Sequence, residues 1–320
     1  MASSAKQSTN KLTINPSVHP GESLKALYNH AMDGGKIVDT TFILFSRVKK
    51  KSGIVEGPRP VYASSTLLRH ASPYFEGLLA GGFRESKSGS ASIPESTNEY
   101  DYLSDSDLES DLDEEEAHNR SLDDAGDSTA NLPKAHESPD SDPTAEPSDT
   151  TSSSSTIANR SDLGSKFTGR VIVIPDVAFT TWRALIYYLG TDDITFRSLK
   201  STGNDRESNQ ATLTPPVCSP KSMYRLCDRL HIEPLRKKAL DAIRAQLSPK
   251  NIFHEMFSPY TSRYPDVQEV EVLFAYTKRQ ELNGKEDIPY WLSRFAGGEL
   301  GHAESSLRLL LLQALNLRAK

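Results

Sequence analysis

The chain has 320 residues, enough for two average domains or for one domain carrying a large insertion. Its hydrophobic fraction of 36% is low for a fully globular protein and argues that part of the chain does not fold. The net charge of −6 is unevenly divided: residues 95–149 hold nineteen acidic residues against two basic ones, which leaves the remainder at about +11. Cys218 and Cys227 are too few for a disulfide scaffold and do not stand at a Cys-x-x-Cys spacing, so a reducing compartment is expected. The first ten residues carry no apolar signal core, and the longest leucine run, residues 309–312, is far too short to span a bilayer. A cytoplasmic or nuclear protein without a membrane partner is expected.

Residues 1–20 are polar and expected to be disordered. Residues 21–36 read as a helix, with Leu24, Leu27, Tyr28 and Ala31 recurring at three and four. Gly34 and Gly35 end it by supplying left-handed backbone. Residues 40–48, "TTFILFSRV", form a strand candidate, β-branched and aromatic almost throughout. Lys49, Lys50 and Lys51 with Ser52 and Gly53 make an exposed turn. Three lysines at a hairpin tip are more often a solubility feature than a nucleic-acid or import patch. Residues 60–63 return as a partner strand, and Pro58 and Pro60 confine that return to an edge or a strand start.

A helix pair follows. Ser64 or Ser65 caps the first helix, and Ser72 followed by Pro73 starts the second: the serine oxygen takes a free amide, and proline in the first turn loses no bond. Residues 87–168 then change to Ser, Asp, Glu, Thr and Pro. Such a composition buries too little apolar surface to offset its ordering entropy, so a disordered acidic insertion is expected. Order resumes with "RVIVIPDV" at residue 170, a buried strand ended at Pro175, and a helix over residues 177–189. Residues 194–196 read as a short strand and residues 198–217 as a second linker. Ser219 with Pro220, then Pro234, then Ser248 with Pro249 each open a helix. The helical pattern continues over residues 267–278 and, leucine-rich, over residues 304–317.

These parts, in this order, resemble the BTB/POZ domain. The resemblance is carried by "DTTFILF" from Asp39, "VYASSTLLRHASPYFEGLL" from Val61, "FRES" from Phe83, "VIVIPDVAFTTWRALIYYLGT" from Val171 and "MYRLCDRLHIEPLRKKALDAI" from Met223. No piece is specific alone; five in order are. The chain departs from the family where Ser64 stands in place of the usual histidine after Ala63. It departs again at the acidic insertion and at the second linker, both placed at loops, where added length costs closure entropy only slowly. The resemblance implies an α+β fold, a small sheet flanked by helices. The BTB domain would occupy residues 21–247, interrupted by the insertion at 87–168 and the linker at 198–217, with a helical C-terminal extension over residues 248–320. The arrangement looks like that of many fungal BTB proteins.

No catalytic constellation is visible. The eight histidines are scattered outside any metal-ligand spacing, and the glycine pairs lack the Lys-Ser/Thr of a phosphate loop. No enzyme activity, cofactor or metal is expected. The resemblance instead implies a protein-interaction module and a homodimer, with Leu24, Leu27, Tyr28 and Asp39 at its interface; alternatively, those apolar side chains cover their own domain. It also implies an adaptor that brings a protein substrate to a cullin-3 ubiquitin ligase. Phe83 and Glu85 match the apolar-x-Glu motif that helps such adaptors grip cullin; alternatively, Phe83 packs under the sheet edge and Glu85 is solvated. A transcriptional or chromatin cofactor that dimerises without cullin is the other reading of the same fold. Ser104, Ser106 and Ser110 each precede an acid by three residues, which suits acid-directed kinases. The charge split adds one further expectation: the acidic tract folds back over the basic remainder and shields it from polyanions.

Overall fold

The computed structural model describes residues 20–49, 51–80, 93–110, 169–203, 215–282 and 287–315. Helix α1 (Pro20–Met32) leads into strand β1 (Thr40–Lys49), whose first seven residues are all buried. Such a strand needs pairing on both sides and cover on both faces, which is why its sequence shows no polar alternation. Strand β2 (Ile54–Ala63) runs antiparallel along one side, from Thr40 opposite Ala63 to Lys49 opposite Ile54. The turn between them closes with the Gly53 N–H donating to the Lys49 carbonyl at 2.8 Å, and Gly53 sits at φ 68, where glycine pays no steric penalty. The return strand therefore begins six residues before the expected Pro60. Pro58 and Pro60 are accommodated because the outer side of β2 pairs only at Val55 and Glu56, with the two-residue strand β3 (Ser96–Thr97), among the described residues.

The other side of β1 is shared. Strand β5 (Arg170–Ala178) runs parallel to its first half, from Thr40 opposite Arg170 to Ile43 opposite Val173. Strand β4 (Glu109–Ser110) runs parallel to its far end, with Arg47 opposite Glu109 and Val48 opposite Ser110. The expected strand end at Pro175 is not an end. The register shifts after Val173, and Ala178 rejoins the ladder opposite Phe45, so Pro175 lies in the irregular stretch where no ladder bond is required of it.

Helices α2 (Ser65–Ala71) and α3 (Pro73–Leu79) cover the sheet. The Ser64 hydroxyl caps α2 by accepting from the Leu67 amide. Ser72 differs from expectation: its side chain makes no cap bond, and α3 starts instead from its backbone carbonyl, which accepts from the Phe75 amide at 3.1 Å, with Pro73 in the first turn. Helix α4 (Phe179–Thr191) places Trp182 between Phe42 and Phe75, with ring centroids 5.1 and 5.7 Å away. This aromatic trio anchors the main core, which continues into α5 (Pro220–Leu230) and α6 (Glu233–Ala245) through Met223, Leu226, Leu235, Ala239 and Ile243. Cys218 and Cys227 are buried in the same core with their thiols free, and burial pushes both thiols up, away from thiolate.

The C-terminal helices have a core of their own. They are α7 (Ile252–Met256), α8 (Pro265–Thr277), α9 (Arg279–Leu282), α10 (Asp287–Ala296) and α11 (Glu304–Ala314). Met256, Phe257, Val272, Trp291 and Leu300 are central to that cluster. The described chain is thus a mixed α+β architecture, helical in its last third.

Parts of two regions expected to lack structure are built into the fold. The linker at 198–217 is fixed at both ends: Leu199 is buried, its amide donates to Gln246 Oε1 at 2.6 Å, and strand β7 (Val217–Cys218) pairs with β6 (Thr195–Phe196). Within the expected disordered insertion at 87–168, residues 93–110 are placed against the domain, supplying β3 and β4 and the buried side chains of Tyr100 and Leu108. The physical reason is local: Tyr100, Tyr102 and Leu108 concentrate within nine residues the apolar surface that the tract's average composition denies it. Residues 1–19, 204–214 and 111–168 lie outside the described residues.

Candidate interaction site

The residues predicted for a partner interface separate once placed. Leu24 and Leu27 turn inward and pack on the main core, so the alternative that they cover their own domain holds for these two. Tyr28, one turn on, is 68% exposed, and Met32, four residues further on the same face, is 76% exposed. The link from α1 to β1 adds Ile37 and Val38, both also exposed. Four large apolar side chains on one helix face and the link that follows it exceed the scattered singles of an ordinary surface. Asp39 serves the fold: its carboxylate accepts from the Ser65 amide at 2.7 Å and from the Ser65 hydroxyl, so it holds the start of α2. Phe83 and Glu85 lie outside the described residues.

A second site was not predicted as such. Residues 99–110 cross the N-terminal turn of α5. The buried Asp107 carboxylate accepts from the Ser219 amide at 2.9 and 3.0 Å and from the Thr181 hydroxyl at 2.6 Å, and it pairs with Arg197 at 3.3 Å. Asp105, also buried, accepts from Tyr100 Oη at 2.5 Å, from the Asp107 amide at 2.8 Å and from the Ser222 hydroxyl. Two carboxylates thus meet the N-terminal turn of an eleven-residue helix, Asp107 at the Ser219 amide and Asp105 at the Ser222 hydroxyl, where the backbone dipole favours negative charge. Even so, burial and then the neighbouring Asp105 charge push the Asp107 carboxyl up, against the opposing pull of Arg197, Thr181 and Ser219.

The same segment ties the extension to the domain. Asp101 pairs with Arg225 on α5 and, at 3.3 Å, with Arg263 just before α8. The Arg225 guanidinium lies over the rings of Tyr100 and Tyr102, 5.4 and 5.9 Å from their centroids, and Tyr102 packs on Tyr260 at 5.4 Å. The described part of the acidic tract pairs with Arg47, Arg197, Arg225 and Arg263. Of the predicted phosphorylation sites, Ser104 is exposed on a turn and Ser106 is half-buried; Ser110 belongs to β4, opposite Val48.

In the same first turn of α5, Lys221 reaches the other way. It pairs with the buried Glu255 of α7, whose Oε1 accepts from Ser201 at 2.5 Å. Glu271 on α8 is fully buried nearby. Its Oε2 accepts from the Thr261 hydroxyl at 2.8 Å, and its Oε1 has no hydrogen-bond partner among the described residues. Burial dominates there and pushes the Glu271 carboxyl up to about 8; Lys221 pulls it down, and the Glu255 charge adds to the rise. Among the described residues, no group of three or more His, Cys, Asp or Glu is placed to hold a metal ion, and no helix is long and apolar enough to cross a membrane.

Sequence reasoning passed over Asp105, Asp107, Arg197 and Arg225 because the segment was judged by the composition of the whole tract. The signal that marks it is the pair Tyr100 and Tyr102 followed by Leu108, an apolar island in an otherwise polar stretch. No family model matches the chain, and no curated protein matches it.

Proposed function

We propose that the chain is a non-catalytic protein-interaction module of the BTB/POZ type. It pairs with a second copy through the exposed C-terminal end of α1 and the link that follows, and brings a protein substrate to a cullin-3 ubiquitin ligase. The observation that carries the reading is the α1 face. Toward its start, Leu24 and Leu27 are spent on the domain's own core, while further along the helix Tyr28 and Met32, and in the link Ile37 and Val38, are exposed. A large exposed apolar face on an otherwise satisfied helix is a surface for a partner. The hairpin β1–β2, the helix pair α2–α3, the parallel return in β5 and the helix pair α5–α6 agree with the family's order of parts. The cullin assignment rests on the sequence match at Phe83 and Glu85.

Two measurements test it. Light scattering is expected to give a dimer for the wild-type protein and a monomer for Tyr28→Glu combined with Met32→Glu, both of which carry exposed side chains and leave the core intact. A wild-type monomer at micromolar concentration rejects the dimer. Capture on immobilised cullin-3 is expected to retain the wild type and to lose Phe83→Ala combined with Glu85→Ala. A dimer that is not captured in either form rejects the adaptor role and returns the module to a dimeric scaffold without cullin.

A further inference from the structure

Residues 99–110 are held by an unusual set of contacts for a piece of core. Their apolar contribution is Tyr100 and Leu108, which cover Phe45, Val48, Val55 and Ala178, with the half-buried Tyr102 beside them against Tyr260. Most of the other described contacts are polar and converge on one tripeptide, Asp105, Ser106 and Asp107. The flanking carboxylates take the Ser219 amide and the hydroxyls of Ser222 and Thr181. The Ser106 carbonyl accepts from Arg197 Nη1 at 3.1 Å, and the Asp107 carbonyl accepts from the Thr180 hydroxyl at 3.3 Å. At its C-terminal end the segment joins the sheet by two residue pairs through β4, and just before its start β3 makes two more. Segments held by few apolar contacts and short ladders open before the strands they rest on.

Ser106 sits at the centre of this arrangement, half-buried between two buried carboxylates. Arg197, the guanidinium that meets the Ser106 carbonyl, is already shared with Asp107. A phosphate on this hydroxyl would place up to two further negative charges where two are already desolvated against one cation. Ser104 differs: it is exposed on the preceding turn, where a phosphate stays in water.

We propose that residues 99–110 form a detachable latch on the domain and that phosphorylation of Ser106 holds the latch open. The acid three residues on, Glu109, has an exposed carboxylate, which suits an acid-directed kinase using ATP. The γ-phosphoryl group passes to Ser106 Oγ: the new O–P bond forms, the P–O bond to the ADP leaving group breaks, and the hydroxyl proton goes to the kinase base and then to solvent. A kinase cleft takes an extended strand, so modification draws on the open form and prevents its return. Opening uncovers the apolar strip of Phe45, Val48, Val55 and Ala178 beside Arg197, Arg225 and the N-terminal turn of α5. This inference does not rest on the family reading.

The test uses the full chain with phosphoserine inserted at position 106, or at position 104, by amber suppression, read by hydrogen exchange. With the group at 106, the amides of residues 99–110 and of Ser219 are expected to exchange roughly tenfold faster or more, the equivalent of one pK unit of like-charge repulsion, while β1 and β5 keep their protection. With the group at 104, exchange is expected to stay near the unmodified rate. Unchanged protection with the group at 106, or equal loosening from both positions, overturns the proposal. In the unmodified protein, residues 99–110 are expected to open at lower denaturant concentration than β1. Opening of both in one transition shows the segment to be inseparable from the core and also overturns it.

Discussion

Two pairs of buried carboxylates face the first turn of α5 from opposite sides, and they are solved differently. On the latch side, all four oxygens of Asp105 and Asp107 accept hydrogen bonds, two backbone amides and three hydroxyls donate, and Arg197 is close by. On the extension side, Glu255 has Lys221 and Ser201, but Glu271 has one hydroxyl and an Oε1 with no partner among the described residues. Burial is the same in kind; the supply of donors is not. The first pair is a recognition contact, whereas the second holds a carboxyl that keeps its proton at neutral pH.

The strongest way to break this comparison is to remove the well-served member. Asp107→Ala leaves the Ser219 amide, the Thr181 hydroxyl and Arg197 without their shared acceptor. It is expected to lower the free energy of opening residues 99–110, read by hydrogen exchange, by about 4 kcal/mol, the scale of a broken buried ion pair. A loss well under half of that would mean that water replaces the carboxylate and that the latch is looser than its geometry.

Glu271→Gln is expected to act in the opposite direction. The carboxyl titrates near its ordinary value of 4.5 when unfolded and at about 8 when folded. Below pH 4.5 both states hold the proton. Between these values the unfolded chain releases it and the folded chain does not, so stability falls as pH rises and the full cost is present above pH 8. Glutamine removes this slope. Relative to the wild type, the variant is expected to gain on the order of 3 kcal/mol between pH 5 and pH 8, measured as unfolding midpoints across pH. A parallel pH profile for both proteins would place the titration elsewhere.

Much of this contrast was legible in the sequence, but not the part that distinguishes the pairs. The caps and prolines at Ser64, Pro73, Ser219 and Pro220 marked helix starts, because capping is a local event. The central strand was legible from its uninterrupted apolar run. Three features were not. The early start of β2 at Ile54 depends on cross-strand register, which no local pattern encodes. The inward turn of Leu24 and Leu27 depends on how α1 sits on α2 and α4. The docking of residues 99–110 depends on partners more than 70 residues away, Thr181 and Ser219 among them. The buried glutamates were hidden for a related reason: helical spacing shows which face a residue shares, not whether a later helix will cover it.

The smaller effects sharpen the comparison on the latch side, where Asp101 binds two arginines of unequal burial. Arg225 is nearly buried, donates to the Asp176 carbonyl at 3.0 Å and lies over Tyr100 and Tyr102, so Arg225→Ala is expected to cost about 2 kcal/mol through lost packing and an unmet carbonyl. Arg263 meets the same carboxylate at 3.3 Å, but both side chains are more than half exposed. Its attraction is screened by solvent and offset by the entropy of holding two long side chains together, so Arg263→Ala is expected to cost about 0.3 kcal/mol. Raising the salt from 0.05 to 0.5 M should erase that difference, because the Debye length falls well below 10 Å, and should leave the Arg225→Ala loss in place. If the two variants instead cost the same at both salt concentrations, the latch is held by net charge rather than by the buried donors of α5. The distinction between the two carboxylate pairs would then rest on Glu271 alone.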